Sequence, residues 1–263
     1  MKDEIINLHS NKTVIAKHIS SNIQADTLFT FTKKLDYLIE WLSNRRLFAR
    51  YNIEDIDYLG IENLNKIAFP MKCFCDINLH RLKDHVANYG YYGLAFTKEW
   101  GMNNGVQAVQ YVNPYSELTK DISFILNKIF NSDNELESEE MDNLKSYAIH
   151  QLLYYKPYSN DERCFTDESE WRYVPQVPDD LPPILRYEQD MTAERLILLN
   201  DILKNKPEIA IQFKIEDIKY IIIKQEDEFN SLVGSIDALN LDSQMRDRLL
   251  SKIIVWDTSR RDF

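Results

Sequence analysis

Residues 67–75 read IAFPMKCFC, the most strongly apolar and β-favouring run near the middle of the chain. That density predicts a buried strand from about Met71 to Cys75. Asp76 and Asn78 follow as capping side chains for a helix over LHRLKDHVANYG (79–90), and Gly90 is placed to stop it. Upstream, TLFTFT (27–32) predicts another strand. In KKLDYLIEWLSNRR (33–46), Leu35, Leu38, Ile39 and Leu42 fall at i, i+3, i+4 and i+7, the stripe of an amphipathic helix. Downstream, YYGLAFT (91–97) and VQAVQYV (106–112) read as strands around the glycine-containing connection KEWGMNNG (98–105).

The same reading extends to the end of the chain. EWRYV (170–174) predicts a strand closed by Pro175 and Pro178, and PEIAIQF, KYIIIK and IIVWD predict three more. ERLILLNDIL, EFNSLVGSIDAL and DSQMRDRLLSKI predict helices, while LKSYAIHQLLYYKP (144–157) fits either state. Strands and helices alternate without a regular βαβ period, which points to an α+β fold rather than a doubly wound one. Residues 1–26 read as a polar N-terminal arm and 27–263 as one domain, because no repeat or long Pro/Gly/Ser linker divides them.

Composition narrows the function classes. The 263 residues carry a net charge of −11, so broad electrostatic docking on nucleic acid or anionic lipid is disfavoured. No run reaches the roughly 18 apolar residues of a membrane span. The start MKDEIINLHSNK lacks the basic-then-apolar order of a secretion signal. Three cysteines make no disulfide framework, and a cytoplasmic setting is expected. Only 6 glycines occur, yet Gly90, Gly93, Gly101 and Gly105 crowd together, so a sharp turn or a close backbone approach is expected there.

Few motifs carry chemistry. Cys73-Phe-Cys75 has no second cysteine pair, and His80 and His85 are five apart, so no metal site is expected. No phosphate-binding glycine loop and no GxSxG elbow is present. Glu168-Ser-Glu170-Trp171 is the most suggestive segment. Two acids at i, i+2 in a strand share a face, where like charge shifts one pKa, with Trp171 anchoring the other side.

Taken together, LFTFTKKLDYLIEWL, PMKCFCDINL, HVANYGYYGLAFTKEWGMNNGVQAVQYVN, ESEWRYVP, FKIEDIKYIIIK and the terminal RDF resemble the AbiGi family of abortive phage-resistance proteins. The resemblance implies a bacterial, cytoplasmic anti-phage defence protein, an antitoxin-like regulator or effector acting with a protein partner such as a toxin or a phage component. A second resemblance, in the order of elements and the late Glu-x-Glu, is to ADP-ribosyltransferase folds. It implies a split, mostly antiparallel sheet with NAD in its cleft, Glu170 as catalytic acid, Glu168 as its partner, and Thr30 and Thr32 beside the nicotinamide ribose. Thr30 stands where such enzymes carry His, Arg or Tyr. Under that reading Glu170→Gln removes NAD turnover and leaves the fold intact.

Overall fold

A computed structural model describes residues 25–131 and 139–260. Almost all of the expected 1–26 arm, and the terminal RDF, lie outside the described residues. The chain runs β1 (Leu28–Thr32), α1 (Leu35–Asn44), β2 (Arg46–Leu47), β3 (Arg50–Asp55), β4 (Lys66–Cys75), α2 (Leu82–Tyr89), β5 (Tyr92–Phe96) and α3 (Lys98–Asn103). It continues through β6 (Gln107–Ala108), β7 (Gln110–Val112), α4 (Glu117–Asn131), α5 (Glu139–Leu152), β8 (Tyr155–Pro157), β9 (Glu170–Tyr173) and α6 (Ala193–Lys204). Last come β10 (Ile211–Gln212), β11 (Ile218–Ile223), α7 (Phe229–Asp237), α8 (Ser243–Leu250), β12 (Ile253–Val255) and α9 (Trp256–Ser259). The class is mixed α and β, as the unpatterned alternation implied.

The main sheet has the order β12-β11-β5-β1-β4-β9-β6, with β3 also on β4. Only its β11–β12 pair is parallel, so the sheet is mixed and mostly antiparallel. Helices cover both faces. On one, α1, α7 and α8 bury Leu38, Leu42, Leu232, Ile236 and Leu249 against Phe74, Leu94, Phe96, Ile221 and Ile223. On the other, Leu82 and Val86 of α2 and Trp256 of α9 meet Phe29, Cys75, Ala95 and Ile222. Each buried aliphatic or aromatic side chain contributes roughly 1.5–3 kcal/mol.

β4 holds the fold together and also splits it. Ala68 exchanges both backbone hydrogen bonds with Leu185, at 3.0 and 2.7 Å, while also opposing Ile53 of β3. Successive amides of a strand point to opposite edges. The amides of Ile67, Phe69 and Met71 therefore face β3, and those of Lys72 and Phe74 face β9. The edge that β3 uses up to Met71 is the edge that β1 meets at Cys75. Between these two contacts, at Cys73, β1 and β3 diverge and the sheet forks.

Several local expectations are corrected. β4 begins at Lys66, not Met71, and runs through Pro70. Pro70 is tolerated because its missing N–H would point to the edge between Leu185 and β9, where no ladder bond is needed. Neither expected cap forms: Asp76 instead pairs with Lys98 at 2.6 Å, and the Asn78 side chain makes no capping bond. VQAVQYV breaks at Val109, so β6 joins β9 and β7 joins β8. PEIAIQF keeps only the two-residue β10, since Pro207 opens a 3-10 turn. LKSYAIHQLLYYKP is helix to Leu152 and strand from Tyr155. The glycine cluster does mark a close approach. Gly90 ends α2 at φ 112°, and a Cβ there would sit 2.1 Å from the Thr32 carbonyl oxygen.

Candidate functional site

The fork opens a cleft of about 660 Å³. β1 contributes Phe29 to Thr32, β3 contributes Arg50, Asn52 and Glu54, and β4 contributes Met71 to Cys75. Trp41 of α1, His85 and Tyr89 of α2, Asn200 of α6, and Lys156, Glu168 and Glu170 complete the wall. Its size suits a small organic ligand.

All four residues singled out in the sequence, Thr30, Thr32, Glu168 and Glu170, line this cleft. They do so from different sides. Directly opposed residues of antiparallel strands share a face. Glu170 opposes Cys75, which opposes Phe29, so Glu170 lies on the face of Phe29. Thr30 and Thr32, offset by one and three residues, lie on the other face. The glutamate pair is also built differently from expectation. Glu168 ends a 3-10 turn and Ser169 adopts φ 42°, so Glu168 is not in the strand and the i, i+2 rule does not apply. The residue that does share Glu170's face is Arg172, while Trp171 packs against the main core behind them, as expected.

The carboxylates converge through cations instead. Glu170 Oε1 accepts from Arg172 Nε at 2.6 Å, and Oε2 accepts from Lys156 Nζ and, at 3.3 Å, from Arg172 Nη2. Arg172, 1% exposed, also donates to Glu54 Oε2 at 2.7 Å and to the Leu153 carbonyl at 2.9 Å. Glu168 pairs with Lys156 at 3.4 Å and with Arg163 at 3.5 Å, and accepts from Tyr89 Oη at 2.8 Å. Tyr111 Oη receives the Glu170 backbone N–H at 2.9 Å and donates to the Phe165 carbonyl. Arg172 was legible, since it alternates with Glu170 in EWRY. Lys156 was not, because nothing local in YYKP connects it to residues 168–170.

Burial alone would raise the Glu170 carboxyl, but Arg172 and Lys156 outweigh it and hold it down to about 2. Lys156 is raised by Glu170 and Glu54 against the opposing effect of its burial. Glu54, Glu168 and Glu170 face Lys156, Arg172 and Arg163, so the cluster is charge-balanced. Glu170 is thus an ionised, buried strut whose oxygens are already engaged. A Gln in its place cannot be neutral for the fold, which corrects that expectation. Nearby, burial pushes His85 down to about 4, and its Nδ1 has no hydrogen-bond partner among the described residues. Cys73 and Cys75, two apart on one face of β4, are raised above the ordinary thiol by burial, and so are unreactive. Among the described residues no group of three or more His, Cys, Asp or Glu is placed to hold a metal, and no helix is long and apolar enough to cross a membrane.

Comparison with known proteins bears on this site. No solved structure matches the chain, so the ADP-ribosyltransferase likeness has no structural neighbour behind it. The chain is 29% identical over 245 residues to "Abortive phage resistance protein AbiGi" of Lactococcus lactis subsp. cremoris, covering 81% of this chain and 98% of that protein. A family profile described as "Putative abortive phage resistance protein AbiGi, antitoxin" matches residues 45–224. That span includes β3, β4, β9 and the whole charged cluster at the fork. The chain therefore belongs to the AbiGi family of abortive phage resistance proteins.

Proposed function

We propose that this protein is the restraining partner in an abortive phage-resistance system, and that it binds a partner protein through the outward face of α4. The family description, which names an antitoxin, supports the role. The observation that carries the surface is the outward face of α4 itself. Its inward side chains, Ile122 and Leu126, are buried beneath β4. Outside, Leu118, Phe124 and Ile125 are 52%, 65% and 51% exposed, and Tyr115 just ahead of the helix is 91% exposed. Leu118 and Ile125, two turns apart, form one exposed stripe along the flank of the buried Ile122, and Phe124 lies on the side turned away from it. Leu144 and Tyr147 of α5 are exposed as well. Apolar side chains gathered on one helix mark an interaction surface rather than ordinary scatter. The test is co-purification from the native host of tagged wild type and of the double variant Phe124→Asp, Ile125→Asp. A stoichiometric partner lost in the variant, with unchanged melting, is expected. A partner retained by the variant refutes the surface.

A second reading, consumption of NAD by an ADP-ribosyltransferase-like mechanism, is favoured by one observation: Thr30, Thr32, Glu168 and Glu170 line a single cleft. In that reading a glutamate carboxylate stabilises the developing positive charge on the ribose. Glu170, neutralised by Arg172 and Lys156, is poorly disposed for this, and Glu168 on the cleft wall is the better candidate. Nicotinamide release by wild type and its loss in Glu168→Gln is the expected result. No release, with or without lysate of infected cells, rules the reading out.

A further inference from the structure

We propose that the Lys72 amine is a covalent capture site for a small ring-bearing aldehyde, which it holds as an imine in the cleft. Three lysines of the described chain are buried. Lys98 is paired with Asp76, and Lys156 with Glu168 and Glu170. Lys72, 9% exposed, lines the cleft and has no carboxylate or hydrogen-bond partner among the described residues. Its Nζ rests 3.7 Å from the centre of the Trp41 ring, which steadies the side chain without supplying a counter-charge. A second buried polar group is left open on the same face. Thr30, 2% exposed, lines the cleft, and its hydroxyl makes no hydrogen bond among the described residues. Phe29 opposes Cys75, so Thr30, one residue after Phe29, and Lys72, three before Cys75, share the face turned away from Glu170.

A buried ammonium without a counter-charge is unfavourable, and the group answers by giving up its proton. The groups around Lys72 do not reverse this. Arg50 of β3 opposes Met71 and so lies on the other face, from where it adds only repulsion. Burial keeps Cys73, next on β4, neutral, and does the same for Tyr173 of β9, which opposes Lys72. Glu40 of α1 is already paired with Lys204 of α6 at 2.5 Å, and Asp201 of α6 is exposed at the rim. Burial, with Arg50 adding to it, lowers the amine to about 7. About three quarters of it is then neutral at pH 7.5, against about one part in a thousand for an ordinary lysine. A neutral, desolvated amine is a nucleophile, and a carbonyl carbon is what it condenses with. The nitrogen lone pair forms the N–C bond, the C=O π pair moves to oxygen, and a proton passes from nitrogen to that oxygen. The carbinolamine then loses water and leaves C=N, with no change of oxidation state. The Thr30 hydroxyl is a donor for the carbinolamine oxygen. The fork supplies the room, and Tyr37 and Phe48 supply flat wall for a ring.

This inference rests neither on the partner-binding reading, since α4 is not part of the cleft wall, nor on cleavage of NAD. The test is limited labelling of the whole chain with benzaldehyde and cyanoborohydride, which reduces an imine to a stable amine, followed by peptide mapping. Rates are compared between peptides of one sample. At pH 7.5 Lys72 should be labelled at least tenfold faster than the exposed lysines, and Lys98 and Lys156 no faster than these. The ratio should fall toward one as pH rises through 10, where ordinary lysines lose their protons too. Lys72→Arg should remove this label and leave the surface label unchanged. Thr30→Val, nearly equal in shape, should slow Lys72 severalfold at unchanged melting temperature; an unchanged rate overturns the part given to Thr30. Lys72 labelled no faster than exposed lysines at pH 7.5, or a ratio that does not fall with rising pH, overturns the proposal.

Discussion

Glu170→Gln is the sharpest probe of the charged cluster. The carboxylate receives three bonds from two cations: Arg172 Nε, Arg172 Nη2 and Lys156 Nζ. The amide keeps one acceptor oxygen and turns an NH₂ toward another donor. Two buried cations then share less negative charge than they need. Removing one partner of a buried ion pair costs about 3–5 kcal/mol, and retention of one oxygen puts the expected loss near the lower end. For a chain of this size, that lowers the melting temperature by about 6–12 °C. The pH dependence is specific. The folded carboxyl sits at about 2 against an ordinary value of 4.5, so its contribution is complete above about pH 4.5 and is lost as pH falls toward 2. The melting difference between wild type and variant, followed by circular dichroism, should be full at pH 7 and shrink below pH 4.5. A difference under about 2 °C at pH 7 would refute the claim that this cluster fastens β9 to β3 and β8.

Three other perturbations have expected outcomes. Lys72→Met should stabilise the chain: a lysine lowered from 10.5 to about 7 on folding subtracts stability on the order of a few kcal/mol below pH 7, and progressively less toward pH 10.5, so the variant's gain in melting temperature should be large at pH 6.5 and vanish above about pH 10. His85, set between the rings of Phe31 and Tyr89 at 5.5 and 4.5 Å, is lowered to about 4 by burial, so stability should drop as pH falls from 6.5 toward 4, and His85→Phe should lessen that drop in a pH series of thermal melts. Gly90→Ala meets both a backbone oxygen at 2.1 Å and a positive φ, and should destabilise by about 2 kcal/mol or more in denaturant titration.

Elements fixed by local pattern were legible in the sequence. β1 and α1 follow from alternation at Leu28–Thr32 and from the stripe at Leu35, Leu38 and Leu42, and the glycine cluster announced the approach of Gly90 to Thr32. What depends on long-range register was not. The strand expected from about Met71 in fact begins at Lys66 and runs through Pro70, whose edge only the fold reveals, and the Glu168–Glu170 spacing implied a shared face that the turn at Ser169 cancels. The convergence of the four chosen residues on one cleft was legible only as a consequence of element order. Its cause, the divergence of β1 and β3 from β4 at Cys73, is set by pairings more than 20 residues apart. Lys72 passed unnoticed because a lysine inside KCFC reads as a solvated position, whereas the fold buries it against Trp41.

The most direct test of the proposed role is growth of host cells carrying the native locus without phage, when the chain is replaced by its Phe124→Asp, Ile125→Asp variant. The proposal predicts growth arrest with the variant and normal growth with wild type, because a partner left unbound is unrestrained. Normal growth with the variant, at equal protein level and equal melting temperature, would contradict it.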